Sequence, residues 1–235
     1  MKLFLLFLLV ILSASCKNYD KITQENRILL DKGQNKDVIE NLSPILEENK
    51  DFADGFNLRG IAFLNTDNAE KALADFNQAI KIDNQNYKFY YNRGNVYRRI
   101  LKIEDALKDY EKGIELNPNI ADLYINKGAV LFEMQRYKEA LASLNKAISI
   151  NPSDKNALFN RGEVYFKEGN FEKAIADLHH CVELAPDFSK AHYVLAMSEI
   201  MQNNDKNTPE SCQHLQKSAE LGYEVASKML QKYCQ

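Results

Sequence analysis

From residue 19 to the end of the chain, apolar residues recur at intervals of three and four. Short polar breaks separate these runs. That spacing places the apolar positions on one face of a helix and predicts a succession of short amphipathic helices. The pattern also repeats. Gly60, Gly94, Gly128 and Gly162 stand 34 residues apart, as do Ala72, Ala106, Ala140 and Ala174. The large positions follow the same period, with Phe63, Tyr97, Leu131 and Tyr165 in one row and Phe76, Tyr110, Leu144 and Leu178 in another. Ala79, Gly113, Ala147 and Cys181 hold a further small-residue position. Pro118, Pro152 and Pro186 close three of the units, and Asn84 takes that place in the first.

Each unit reads as a helix, a turn and a second helix. The glycine of the first helix and the alanine of the second are expected to let the two backbones approach closely, with the large residues beside that contact. Proline ends the second helix because it has no N–H to continue the ladder. One such hairpin cannot bury its apolar stripe alone, so the units must stack.

The four central cores read NLRGIAF, YNRGNVY, INKGAVL and FNRGEVY. With the period of 34 they resemble the tetratricopeptide repeat (TPR) family. The resemblance implies an all-α fold, a right-handed superhelical solenoid of antiparallel helix-turn-helix repeats. About five to six hairpins and a terminal capping helix are expected. Close copies span 53–86, 87–120, 121–154 and 155–188. A degenerate copy spans 19–52, with Asn26 in the glycine position, Val38 in the alanine position and Pro44 expected to kink its second helix. Another covers 189–221, with Ala196 in the glycine position, and resembles Sel-like repeats. It is expected to contain helices over 189–201 and 210–221, joined by a polar loop over 203–209. Residues 222–235 form the capping helix, after Gly222 ends the preceding one.

The first residues are of another kind. MKLFLLFLLVILSASC has a lysine, a ten-residue apolar run from Leu3 to Leu12, and small residues before a cysteine. The run is too short to span a bilayer and reads as an export signal over 1–15. Small residues followed at once by Cys16 resemble a bacterial lipobox. That implies a lipid on Cys16, palmitate included, and a short tether over 16–18. Leucine stands at position 12, one place further back than in the best lipoboxes. Ordinary secretory cleavage after Ser15 is the competing reading. The expected location is the bacterial cell envelope, lipid-anchored at the outer membrane, with the face left open.

Composition narrows the functional classes. A formal charge of −3 with 30 basic and 33 acidic residues provides no basic stripe, which argues against nucleic acid as a partner. Neither GxSxG, HExxH nor a phosphate loop occurs, so we read the chain as a non-enzyme with no cofactor and no small-molecule substrate. All four histidines lie in the last third with three cysteines: His179, His180, Cys181, His192, Cys212, His214 and Cys234. Their spacing fits no zinc module, and no metal is expected. Cys181 occupies a small core position and His192 a helix-packing one. Cys212 and Cys234 flank the turn at Gly222 at similar distances, which suits a disulfide in an oxidising compartment. Two separate thiols are the alternative.

The TPR resemblance implies a concave binding face on the first helix of each repeat. Carried over by position, that face includes Tyr91, Asn92, Asn95, Arg98, Asn126, Phe132, Phe159, Asn160, Glu163 and Phe166. Asn92, Asn126 and Asn160 form a ladder of period 34. A carboxamide both donates and accepts, so such a ladder could grip the backbone of an extended peptide. Tyr91, Phe132, Phe159 and Phe166 would add aromatic anchors. The lysine and arginine set of a chaperone carboxylate clamp is missing, because Tyr91, Ile125 and Phe159 stand where its lysine would begin. The function expected is a membrane-tethered scaffold or adaptor that binds a peptide or helix of a partner protein. Self-association as a structural envelope protein, and an accessory role in outer-membrane assembly or a pilotin-like role in secretion, are the alternatives.

Overall fold

The computed structural model describes residues 19–234, and every regular element among them is a helix. The signal segment 1–15, Cys16, the tether 16–18 and Gln235 lie outside the described residues. No described helix is long and apolar enough to cross a membrane. The chain divides into two compact units, one ending at Asn117 and one beginning at Pro118.

In the first unit, α1 covers residues 19–31, followed by α2 (Asn35–Glu48), α3 (Ala53–Asn65), α4 (Ala69–Ile82), α5 (Tyr87–Arg99) and α6 (Ile103–Leu116). Consecutive helices pair as α3 with α4 and α5 with α6, and α4 leads into α5 across the repeat boundary. The first helices α3 and α5 also touch one another. Val38, Leu42, Leu46, Phe52, Phe56 and Phe89 form the core of the degenerate end. Tyr19 closes it by stacking on Phe52, with ring centroids 4.3 Å apart, and by donating to Asn49. α2 runs unbroken through Pro44.

The second unit contains α7 (Ala121–Glu133), α8 (Tyr137–Ile150), α9 (Lys155–Lys167), α10 (Phe171–Leu184), α11 (Ser189–Gln202), α12 (Pro209–Glu220) and α13 (Glu224–Tyr233). Here α7, α9 and α11, the first helices of three hairpins, pack in sequence, and α13 covers α12. Pro209 was expected in a loop but is the first residue of α12. Proline is preorganised for that position because its missing N–H would be unsatisfied there anyway. Thr208 caps the helix, and it exchanges hydrogen bonds with Ser211 in a capping box. A disulfide joins Cys212 to Cys234, tying the start of α12 to the end of α13 with Cα atoms 5.8 Å apart.

The repeat glycines lie in the first helices as expected, but they face the large residue of the second helix and not its alanine. A Cβ on Gly60 would meet the Phe76 ring at 2.8 Å, and one on Gly94 would meet Tyr110 at 2.8 Å. On Gly128 and Gly162 it would meet Leu144 at 2.7 Å and Leu178 at 2.8 Å. The glycine therefore makes room for the large residue of the second helix, while the alanines lie fully buried beside it.

Three repeats contain a cross-helix ion pair that the sequence reading did not join. Arg59, Arg93 and Arg161 each chelate an aspartate 16 residues on, Asp75, Asp109 and Asp177, at 2.7–2.9 Å. The same guanidiniums reach back to the preceding helix, to Ser43, Asn77 and Asn145 respectively. Each arginine thus links three helices. Its signal was present in the period, since arginine precedes the glycine in each of these cores.

Candidate functional site

In the first unit, α5 holds four of the expected face residues, all half-buried: Tyr91, Asn92, Asn95 and Arg98. The Asn92 amide donates to Asn57 of α3 at 2.7 Å, so this rung of the ladder ties neighbouring first helices together. Its carbonyl oxygen keeps its accepting capacity. Asn95 accepts from the Tyr110 hydroxyl at 2.8 Å. Tyr91 lies against the same ring, centroids 6.5 Å apart.

In the second unit, Asn126 and Phe132 lie on α7, and Asn160, Glu163 and Phe166 on α9, all half-buried. Among the described residues no group hydrogen-bonds the Asn160 carboxamide. Phe132 and Phe166 make the same tilted contact one repeat apart, with Tyr137 at 5.7 Å and Phe171 at 5.8 Å. Glu163 pairs with Lys190 of α11 at 2.7 Å.

Phe159 departs from the expectation. It is 6% exposed and packs on Phe188, centroids 4.6 Å apart, with the Lys190 ammonium over its face at 5.0 Å. It belongs to the core, not to a binding surface. The reason is visible in its neighbours, because Phe188 closes its repeat and fills the space that a ligand would need.

Apart from His180, the cysteines and histidines of the last third separate into three groups. Cys181 is fully buried, and burial pushes its thiol up to about 11. Cys212 and Cys234 are bridged. His179 and His214 meet at Glu199, and His192 packs behind His214.

Comparison with known proteins follows these repeats. Family models described as TPR repeat match residues 68–100 and 128–169. Others described as tetratricopeptide repeat match 87–120, 156–188 and 109–142. No match is found among curated proteins. Among solved structures, PilF of Pseudomonas aeruginosa superposes with a TM-score of 0.78 at 15% identity, over 90% of this chain and 97% of its own. YrrB, described as a TPR protein with an unusual peptide-binding site, gives 0.64 at 24% identity, over 80% of this chain and 96% of its own. MamA from Desulfovibrio magneticus RS-1 gives 0.64 at 23% identity, over 73% and 96%. The period, the paired helices, the glycine beneath the large residue and these matches agree, and the chain belongs to the tetratricopeptide repeat family.

Proposed function

We propose that this protein is a non-catalytic interaction scaffold of the bacterial cell envelope, tethered by lipid on Cys16. In this reading it captures an extended peptide or helix of a partner protein on its first helices. The observation that carries the reading is the Asn160 carboxamide, half-buried on α9 and held by no described group, at the same repeat position as Asn126. Such a carboxamide is hydrated in the free protein, and a ligand that displaces this water must replace both its donor and its acceptor contacts. A peptide backbone offers both the donor and the acceptor that a carboxamide needs. Phe132 and Phe166 flank these two rungs at one common repeat position and supply apolar contact. The peptide-binding site named for YrrB supports the same mode of use in a related fold.

The tether rests on the residues before and at Cys16. A membrane-held module meets a membrane partner at a raised effective concentration. The test of the face is Asn126→Ala with Asn160→Ala. Partner capture is expected to fall about tenfold, in line with the loss of two hydrogen bonds at a desolvated site, while far-ultraviolet circular dichroism stays unchanged. Undiminished capture by the double variant would remove the carboxamides from the account. Self-association as the principal activity would instead appear as concentration-dependent sedimentation, insensitive to the same substitutions.

A further inference from the structure

Three consecutive helices of the second unit each contribute one metal-ligating group to a single point. His179 comes from α10, Glu199 from α11 and His214 from α12. The Glu199 Oε1 lies 3.4 Å from His179 Nε2 and 4.0 Å from His214 Nε2. One ligand atom from each of the three falls within 4.8 Å of the other two. Glu199 is 12% exposed, and its second oxygen, Oε2, is buried without a hydrogen-bond partner.

A fourth residue determines which nitrogen His214 offers. His192 is buried, and its Nε2 lies 3.1 Å from the Pro186 carbonyl. A carbonyl can only accept, so His192 Nε2 bears the proton. With the proton of the neutral ring on Nε2, Nδ1 is an acceptor. That atom is 3.1 Å from His214 Nδ1, which must therefore donate. Neutral His214, donating from Nδ1, then carries its lone pair on Nε2. This is the nitrogen that faces Glu199. A histidine ligand whose other ring nitrogen is held by an outer partner is the usual arrangement around protein-bound metals.

We propose that His179 Nε2, His214 Nε2 and the Glu199 carboxylate bind one divalent transition-metal ion, zinc in the first instance, with His192 orienting His214. Two imidazoles and one carboxylate suit zinc, whereas magnesium and calcium favour all-oxygen sets. Tetrahedral zinc with bonds of about 2.0–2.1 Å sets its ligands about 3.3 Å apart. The His179–Glu199 separation already matches this, while His214 Nε2, 4.0 Å from Glu199, must come about 0.7 Å nearer. The ion would bind at Glu199 Oε1, the oxygen that faces both histidines. His179 is 48% exposed, which opens a path from solvent. Three protein ligands leave a coordination position for water or for a donor from a bound partner. Cys181 is buried and Cys212 is bridged to Cys234, so no described thiol competes for the ion.

The test is calorimetric titration of zinc chloride into the purified chain after chelator treatment, at neutral pH and without thiol reductant. One zinc per chain is expected. His179→Ala, a half-exposed position whose loss spares the core, and Glu199→Gln are each expected to weaken binding at least about tenfold. His180→Ala, the adjacent histidine, is expected to leave it unchanged. Cobalt in place of zinc should give a visible absorption band that His179→Ala abolishes. Magnesium should give no saturable heat. Failure of the wild-type chain to take up zinc, or full uptake by a correctly folded His179→Ala variant, would overturn the proposal.

Discussion

At the scale of the residue, the architecture rests on a few exchanges of volume and charge. Gly162 lies under Leu178 at a distance that no Cβ tolerates. Gly162→Ala is therefore expected to destabilise the chain by about 1–2 kcal/mol in urea titrations, because overpacking outweighs the better helix propensity of alanine. The Arg93–Asp109 pair is mostly buried, and the aspartate beside it holds the guanidinium pKa above its usual range. Asp109→Ala leaves that cation without its carboxylate and should cost about 3 kcal/mol. Arg93→Met with Asp109→Leu should cost less, because removing both partners strands no charge. Equal losses in the two variants would show that the pair itself contributes the stability. Cys181 gives a third residue-level outcome. With its thiol pushed up to about 11, it exposes almost no thiolate at pH 8. It should resist thiol reagents in the native protein and react once the chain is unfolded. Among Cys181, Cys212 and Cys234, the unreduced, denatured chain should then show one reactive thiol.

At the scale of the element, the turn inside each hairpin is as periodic as the helices. Gly33, Asp67, Leu101, Gln135 and Gly169 all have φ between 59° and 74°, and they recur every 34 residues. Each ends the first helix of its hairpin, with the next amide bonding back to a carbonyl five residues earlier, as in Asn68 to Phe63 and Lys102 to Tyr97. This Schellman closure asks for a left-handed residue, and glycine supplies it without strain. Leu101 meets the demand least well, being 80% exposed and branched. Leu101→Gly is expected to stabilise the chain by about 0.5–1 kcal/mol, the relief of the left-handed strain exceeding the added freedom of the unfolded chain. A lower thermal midpoint for this variant would contradict the assignment. At the other end of the chain, reducing the Cys212–Cys234 bridge should weaken the α12–α13 cap by about 3 kcal/mol on the chain-entropy account, given a sequence separation of 22.

The helices themselves were legible in the sequence because a period of 34 averages out the weakness of any single propensity. α11, α12 and α13 fall close to the segments read from apolar spacing, and Gly222 does end its helix. What escaped were the relations between helices. The arginine and aspartate of each pair stand 16 residues apart, and nothing local says that they meet. The turn position escaped because four different residue types share one backbone conformation at its five occurrences. Phe159 was misplaced because its burial depends on Phe188, in the same repeat but on the far side of a helix. The histidine cluster draws on three helices and a glutamate, a combination that no local spacing motif encodes.

At the scale of the whole molecule, the proposed arrangement is a set of repeat hairpins tethered by a lipid on Cys16. The central claim is that the protein holds a partner at the envelope membrane. Crosslinking in intact cells, with the wild type beside Cys16→Ser and captured proteins identified by mass spectrometry, tests it most directly. The account predicts one envelope protein captured by the wild type and lost from the Cys16→Ser form. Self-crosslinks alone, equal in both, would contradict it.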